Sequence, residues 1–282
     1  MAYKFPEKIF AKTINTYLQC PFKFKCQSDS EVKTEYVDTP ENFAGKAMHL
    51  ALRDFFDIFT VPIEERKNQD IGKLLRLSWA RIQKSGWNKD CWNAKERSEL
   101  FGSVEQEKAF GLQAIAILNN YISGADLSVV PLSLEDWMEC PVGEFKIAGR
   151  IDRIDQDSNS AISVWDYKTG KLPFHGTMEK IIQEDLQVPI YAVIASKLFP
   201  FVEKIKAGLI YIKYSKAYTK SWTREELQEV EKNIISVINT ARKDKELLPK
   251  INKLCPWCEY IKVCPSKDLV EGKNSKVDEV NW

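Results

Sequence analysis

The sequence predicts an α/β protein in which helices flank a mixed sheet, and three observations carry that reading. Of 282 residues, 44% are hydrophobic and 29% charged, with 8 Trp, 14 Phe and 10 Tyr, the balance of a globular chain with material for a large core. The apolar spacing is helical up to about residue 123 and becomes that of strands after Leu127. Further on, a helix, a strand and a second helix follow in turn. One large domain over 1–282 accommodates this order, whereas disorder, collagen and coiled coil are excluded as global descriptions.

Taken in order, the first element is a helix over about 12–27, opened by Thr13 as N-cap and interrupted by Pro21. A second helix follows in ENFAGKAMHLALRDFFDIF, with Ala47, Met48, Ala51, Leu52, Phe55 and Phe56 at helical spacing and His49 on it. Residues 63–123 are charge-rich and helical in pattern, and are expected to form a helical insertion or subdomain. Three strands are expected at 134–140, 145–155 and 161–168, joined by turns at Pro141-Val142-Gly143 and at 157–160. A helix is expected from Met178 to Leu198, with His175 in the loop before it, then a strand at 205–214. A last long helix begins at Thr223, where Thr223 and Glu226 form a capping box. The tail after Lys267 is polar and reads as loose.

Lys plus Arg number 41 and Asp plus Glu 40, so the formal charge is 41 − 40 = +1. That excludes a binder working by bulk charge but leaves room for a local basic groove. No apolar run reaches the roughly 20 residues of a membrane-spanning helix, and MAYKFPEKIF lacks a signal-peptide pattern, so an intracellular protein is expected. Seven cysteines in a reducing compartment then point to metal, cluster or packing roles. Cys26, Cys91 and Cys140 are scattered and read as buried thiols, whereas Cys255, Cys258 and Cys264 form a C-x2-C-x5-C run.

The stretch GRIDRIDQDSNSAISVWDYKTGK, residues 149–171, carries the most chemistry. If the hairpin turns about Asn159, opposing residues sum to 318, and Asp152 faces Asp166 (152 + 166 = 318). Lys168, two residues beyond Asp166, points from the same face. Two like charges opposite one another destabilise a sheet. A divalent cation, Mg²⁺ or Mn²⁺, would compensate them, with Lys168 beside it to position water and stabilise charge developing on a phosphate. The bland alternative is a pair of solvent-facing strand residues. Ile151, Ile154, Ile162, Val164 and Trp165 argue instead for a central hairpin. Asp155 is a second candidate ligand, but strand parity places it on the opposite face from Asp152.

GRIDRID followed by DYKTGK resembles the GxxDRxD and DYKTG motifs of the PD-(D/E)xK nuclease superfamily in its RecB-like branch. GKAMH is similar to that family's GxxxH motif, QVPIY to QxxxY, and TINTYLQCPFKF to its opening motif. The resemblance spans residues 13 to 265 and implies a mixed central sheet flanked by helices. It implies Asp152, Asp166, His49 and the backbone carbonyl of Tyr167 as ligands of Mg²⁺ or Mn²⁺, and Lys168 as the catalytic lysine. Gln187 and Tyr191, one turn apart on a helix, are implied at the active site and DNA.

Cys20 with Cys255, Cys258 and Cys264 is similar to the iron–sulfur signature of AddB-type nuclease domains and Cas4 proteins. That resemblance implies a 4Fe–4S cluster, with segment 255–265 closing onto Cys20. Spacing alone leaves Zn²⁺ open. Ligands from both ends of a long chain would restrict the unfolded state.

Residues 201–224 carry Lys204, Lys206, Lys213, Lys216, Lys220 and Arg224 against Glu203, with Tyr211, Tyr214, Tyr218 and Trp222 between them. Such a strip suits single-stranded nucleic acid, or equally a solvated edge strand guarded by lysines. The leading expectation is a metal-dependent DNA nuclease, an exonuclease on single-stranded DNA or DNA ends. No GxxxxGK(S/T) loop is present, so duplex DNA would call for a separate helicase. A Cas4-like nuclease of CRISPR spacer acquisition and a non-catalytic iron–sulfur scaffold subunit are the alternatives; intact Asp152, Asp166 and Lys168 count against the scaffold.

Overall fold

Six strands form one mixed sheet in the computed structural model, which describes residues 5–29, 31–32, 38–84, 90–172, 182 and 186–274. They are β1 (Lys8–Phe10), β2 (Pro131–Val142), β3 (Phe145–Ser158), β4 (Ala161–Lys168), β5 (Lys204–Tyr211) and β6 (Lys216–Thr223). The order is β1-β3-β4-β5-β6, with β2 paired along the other edge of β3. β1 runs parallel to β3 and β4 parallel to β5, while the remaining pairs are antiparallel.

The described helices are α1 (Ala11–Gln19), α2 (Pro21–Ser28), α3 (Pro40–Phe56), α4 (Ile71–Arg81), α5 (Ala94–Phe101), α6 (Val104–Ser123), α7 (Gln187–Leu198), α8 (Arg224–Lys243) and α9 (Lys267–Asn274). β4 and β5 alternate between two apolar cores. Ile162, Val164, Ile205, Ala207 and Leu209 join α7 and α8 in the first. Tyr167, Ile210 and the half-buried Trp165 join α3, α4 and α6 in the second. Covering both faces explains why these strands read as nearly continuous apolar runs. Arg153 ties the sheet to the second core: its guanidinium lies 4.2 Å from the Phe56 ring centroid and pairs with Asp155 at 3.1 Å.

Several expectations change in detail. The first helix is two, broken at Cys20, because Pro21 starts a new helix at its N1 position and Cys20 Sγ caps it by accepting from Lys23 N–H. Thr13 lies inside α1 and is not the N-cap, since β1 runs directly into a helix starting at Ala11. The strand expected at 205–214 ends at Tyr211; a short 3-10 turn, Ile212–Tyr214, and Ser215 in the left-handed region (φ 48°) reverse the chain into β6. The tail after Lys267 begins with helix α9. Cys26 and Cys140 are buried as expected, but Cys91 is exposed. His175 and most of 178–186 lie outside the described residues. The Thr223–Glu226 capping box is present as expected. Among the described residues, no helix is long and apolar enough to cross a membrane.

Candidate active site

The β3–β4 hairpin turns at 159–160 and pairs Arg153 with Trp165, Ile154 with Val164 and Gln156 with Ile162, the register in which opposing numbers sum to 318. The ladder stops one pair short of Asp152 and Asp166. There the Asp152 carboxylate takes over: Tyr167 N–H donates to Asp152 Oδ2 at 2.6 Å. β1 covers residues 146–148 of the same β3 edge and β4 begins to pair at 153, so the edge is open at 149–152. Tyr191 from α7 fills that gap, its hydroxyl donating to the Arg150 carbonyl at 2.9 Å. Gly149 makes room for the ring; a Cβ there would stand 2.5 Å from Tyr191 Cε1.

Gln187, one turn before Tyr191, holds the acidic floor. Its Nε2 donates to Asp166 Oδ1 at 2.7 Å and to the Tyr191 hydroxyl at 2.9 Å, and its Oε1 accepts from Lys168 Nζ at 2.9 Å. Lys168 Nζ also lies 2.8 Å from Asp166 Oδ2. His49 arrives from α3, where Gly45 lets the helix approach Thr169; a Cβ at Gly45 would meet Thr169 Oγ1 at 3.0 Å. Its Nδ1 stands 3.4 Å from Asp152 Oδ1 and 3.1 Å from Glu135 Oε1.

Glu135 is the residue that sequence reasoning misses. In the β2–β3 register Leu134 faces Arg153 and Asp136 faces Ile151, which puts Glu135 opposite Asp152. The findable signal is the tight turn at Gly143 (φ 58°), because counting outward from it gives this pairing. Glu135 itself has a left-handed backbone (φ 53°), a conformation that costs a non-glycine residue about 1–3 kcal/mol and concentrates at functional sites. Arg150 Nε pairs with its Oε2 at 3.0 Å.

Burial pushes the Asp166 carboxyl up to about 6 and Asp152 adds to that, against the pull of Lys168. For His49 burial opposes the charge, yet hydrogen bonds to Asp152 and Glu135 override it and raise the imidazole to about 10. Burial likewise raises the Tyr191 phenol, so that it stays a neutral donor. His49, Glu135 and Asp152 each offer a ligand atom, all within 4.8 Å of one another. Two buried carboxylates, Asp152 and Asp166, with the half-buried Glu135 and one imidazole form a mostly oxygen donor set that fits Mg²⁺ or Mn²⁺. Asp155 faces away, held by Arg153 and by Trp165 Nε1–H at 2.9 Å. Of Tyr167, the site shows the amide donating to Asp152.

The second constellation also assembles. Cys20, Cys255, Cys258 and Cys264 line one small cavity where the α1–α2 junction meets the C-terminal segment. Backbone N–H groups of Lys23 (3.5 Å) and Lys250 (3.4 Å) point at Cys20 Sγ, and that of Asn252 (3.2 Å) at Cys255 Sγ. Four cysteines on one cavity, two of their sulfurs already accepting from backbone amides, are a donor set that fits an iron–sulfur cluster or a thiolate-bound metal. The basic strip of 201–224 does not join the cleft. Tyr211 and Trp222 are buried, Lys220 lies over Trp222 and Lys206 over Trp165, and β6 is a sheet edge, the solvated-edge arrangement.

Residues 11–265 match the PD-(D/E)XK nuclease superfamily, and the chain belongs to it. Among solved structures, SSO0001 is 16% identical with a TM-score of 0.37, over 94% of this chain and 88% of that one. A candidate exonuclease from Eubacterium rectale is 13% identical with a TM-score of 0.43, over 90% and 88%. No curated protein matches the sequence.

Proposed function

We propose that the protein is a divalent-metal-dependent DNA nuclease hydrolysing phosphodiesters at single-stranded or free DNA ends, with a 4Fe–4S cluster on Cys20, Cys255, Cys258 and Cys264. The observation that carries it is the convergence of Asp152, Asp166, Lys168 and His49 on the lining of a broad open cleft, with Glu135 against His49. Asp152, Asp166, Glu135 and His49 would hold the ion. When bound, it supplies Lewis-acid charge beside a scissile phosphate and makes nearby water more acidic.

The chain's own residues do the rest. Lys168 presents an ammonium to the reacting phosphate, where it orients water and offsets charge developing on oxygen. Gln187 fixes that lysine and Asp166 together through two hydrogen bonds and donates a third to the Tyr191 hydroxyl. Tyr191 acts one step further out, holding the Arg150 carbonyl and hence the β3 edge that carries Asp152. The cluster would fasten the α1–α2 junction to the C-terminal segment, a structural rather than catalytic task. Incubating 5′- and 3′-labelled single- and double-stranded DNA with anaerobically purified protein, with and without Mg²⁺ or Mn²⁺, tests the reading. Metal-dependent shortening from one end is expected; intact DNA under every condition would refute it.

A further inference from the structure

Trp137 on the edge strand β2 is 68% exposed, a large apolar ring left open to solvent. It sits on β2 opposite Arg150, and Arg150 precedes Asp152 by two residues on β3. That places the indole about 7 Å along the strand from the acidic floor, a span of about two stacked nucleotides. Phe10, at the end of β1, meets it edge-on with centroids 5.7 Å apart and planes at 67°. Both rings line the cleft that contains Asp152, Asp166 and Lys168, with Lys12 and Arg150 on the same lining. A T-shaped contact engages one ring's edge and leaves most of the indole open.

We propose that Phe10 and Trp137 form a stacking platform that receives an unpaired base of a single-stranded nucleic acid and so sets its backbone across the catalytic cluster. The occupant follows from the chemistry of the wall. A flat exposed π-surface next to cationic side chains suits a ligand that is aromatic and anionic at once, and a nucleobase with its phosphate is both. Bases inside a duplex are already stacked on both faces, so the platform selects single strands and frayed ends. The bland alternative is a surface contact fastening β1 to β2, which would not require the indole to remain open. The inference rests on the nuclease reading and deepens it by naming the substrate form.

The test uses Trp137→Ala and Trp137→Phe in the full chain, with thermal melting to confirm folding. Stacking of one base corresponds to between about fivefold and 150-fold in affinity. Trp137→Ala should raise KM for single-stranded DNA within that range while kcat stays within about twofold, and Trp137→Phe should restore most of the loss. Separately, oligonucleotides carrying 2-aminopurine at successive positions would be bound to Lys168→Ala protein, which keeps the platform. Quenching of emission at one or two positions, abolished by adding Trp137→Ala, is expected. Unchanged KM and unchanged quenching in Trp137→Ala would overturn the platform while leaving metal-dependent cleavage standing. Absence of cleavage by the wild type would instead strike the nuclease reading, since 2-aminopurine binding is read without turnover.

Discussion

Replacing Asp166 with Asn should make the metal-free protein more stable while abolishing its activity. In the folded chain burial raises the Asp166 carboxyl from the ordinary 3.8 to about 6. The ionised form is therefore disfavoured by folding. Its destabilising effect is absent below pH 3.8, grows as pH rises through 6, and is complete above that. A shift of about 2 units corresponds to about 3 kcal/mol. Asn resembles the protonated acid in shape and does not titrate. The stability difference between Asp166→Asn and wild type should thus grow by about 2 kcal/mol between pH 4 and pH 7, reaching the full ~3 kcal/mol at pH 7. At pH 7 that is roughly 5–10 °C in melting midpoint for a chain of this size. Urea unfolding in EDTA across this pH range measures it. Adding Mg²⁺ should reverse the ranking, because only the wild type gains the full linkage stabilisation from the ion. A pH-independent difference, or an Asn variant less stable at pH 7 than at pH 4 relative to wild type, would refute the electrostatic account of the site.

Lys168→Ala should lower kcat by about a hundredfold or more yet keep the rise in melting midpoint on adding Mg²⁺, because Asp152, Glu135 and His49 remain; calorimetry and single-turnover cleavage separate the two. Gly149→Ala forces a methyl against the Tyr191 ring and should destabilise the fold by about 1–3 kcal/mol, measured by thermal melting. Gly170→Ala, where a Cβ meets nothing within 4 Å, serves as the silent control. Cys255→Ser should yield colourless, iron-poor protein with a lowered melting midpoint, whereas wild type purified without oxygen should be brown. A colourless, zinc-loaded wild type would contradict the cluster assignment.

The parts of the site legible in the sequence are those fixed by short-range geometry. The turn after Ser158 sets one register, and that register alone aligns Asp152, Asp166 and Lys168. Gln187 and Tyr191 lie one helical turn apart, so their joint orientation follows from sequence spacing once the helix is recognised. The Thr223 capping box is similarly local. What escaped depends on tertiary context. Glu135 enters through a second hairpin and a left-handed backbone that no residue preference announces. β6 escapes because Ser215 makes its turn without glycine, so nothing after the strand expected at 205–214 announces a hairpin partner. The lysines and aromatics of 201–224 alternate as a nucleic-acid strip would, but burial of Tyr211 and Trp222 is decided by α7 and α8 packing on that face. Trp137 and Phe10 are more than a hundred residues apart and meet only because β1 and β2 flank β3 on its two edges.

The central claim is that Asp152, Asp166 and Lys168 form one metal-dependent hydrolytic centre. Cleavage of end-labelled single-stranded DNA in Mg²⁺ or Mn²⁺ by wild type, Asp166→Ala and Lys168→Ala, all cluster-loaded, tests it most directly. The account predicts a ladder of shortened products from wild type that EDTA suppresses and both variants lack. Equal cleavage by wild type and the two variants, or cleavage that persists in EDTA, would contradict it.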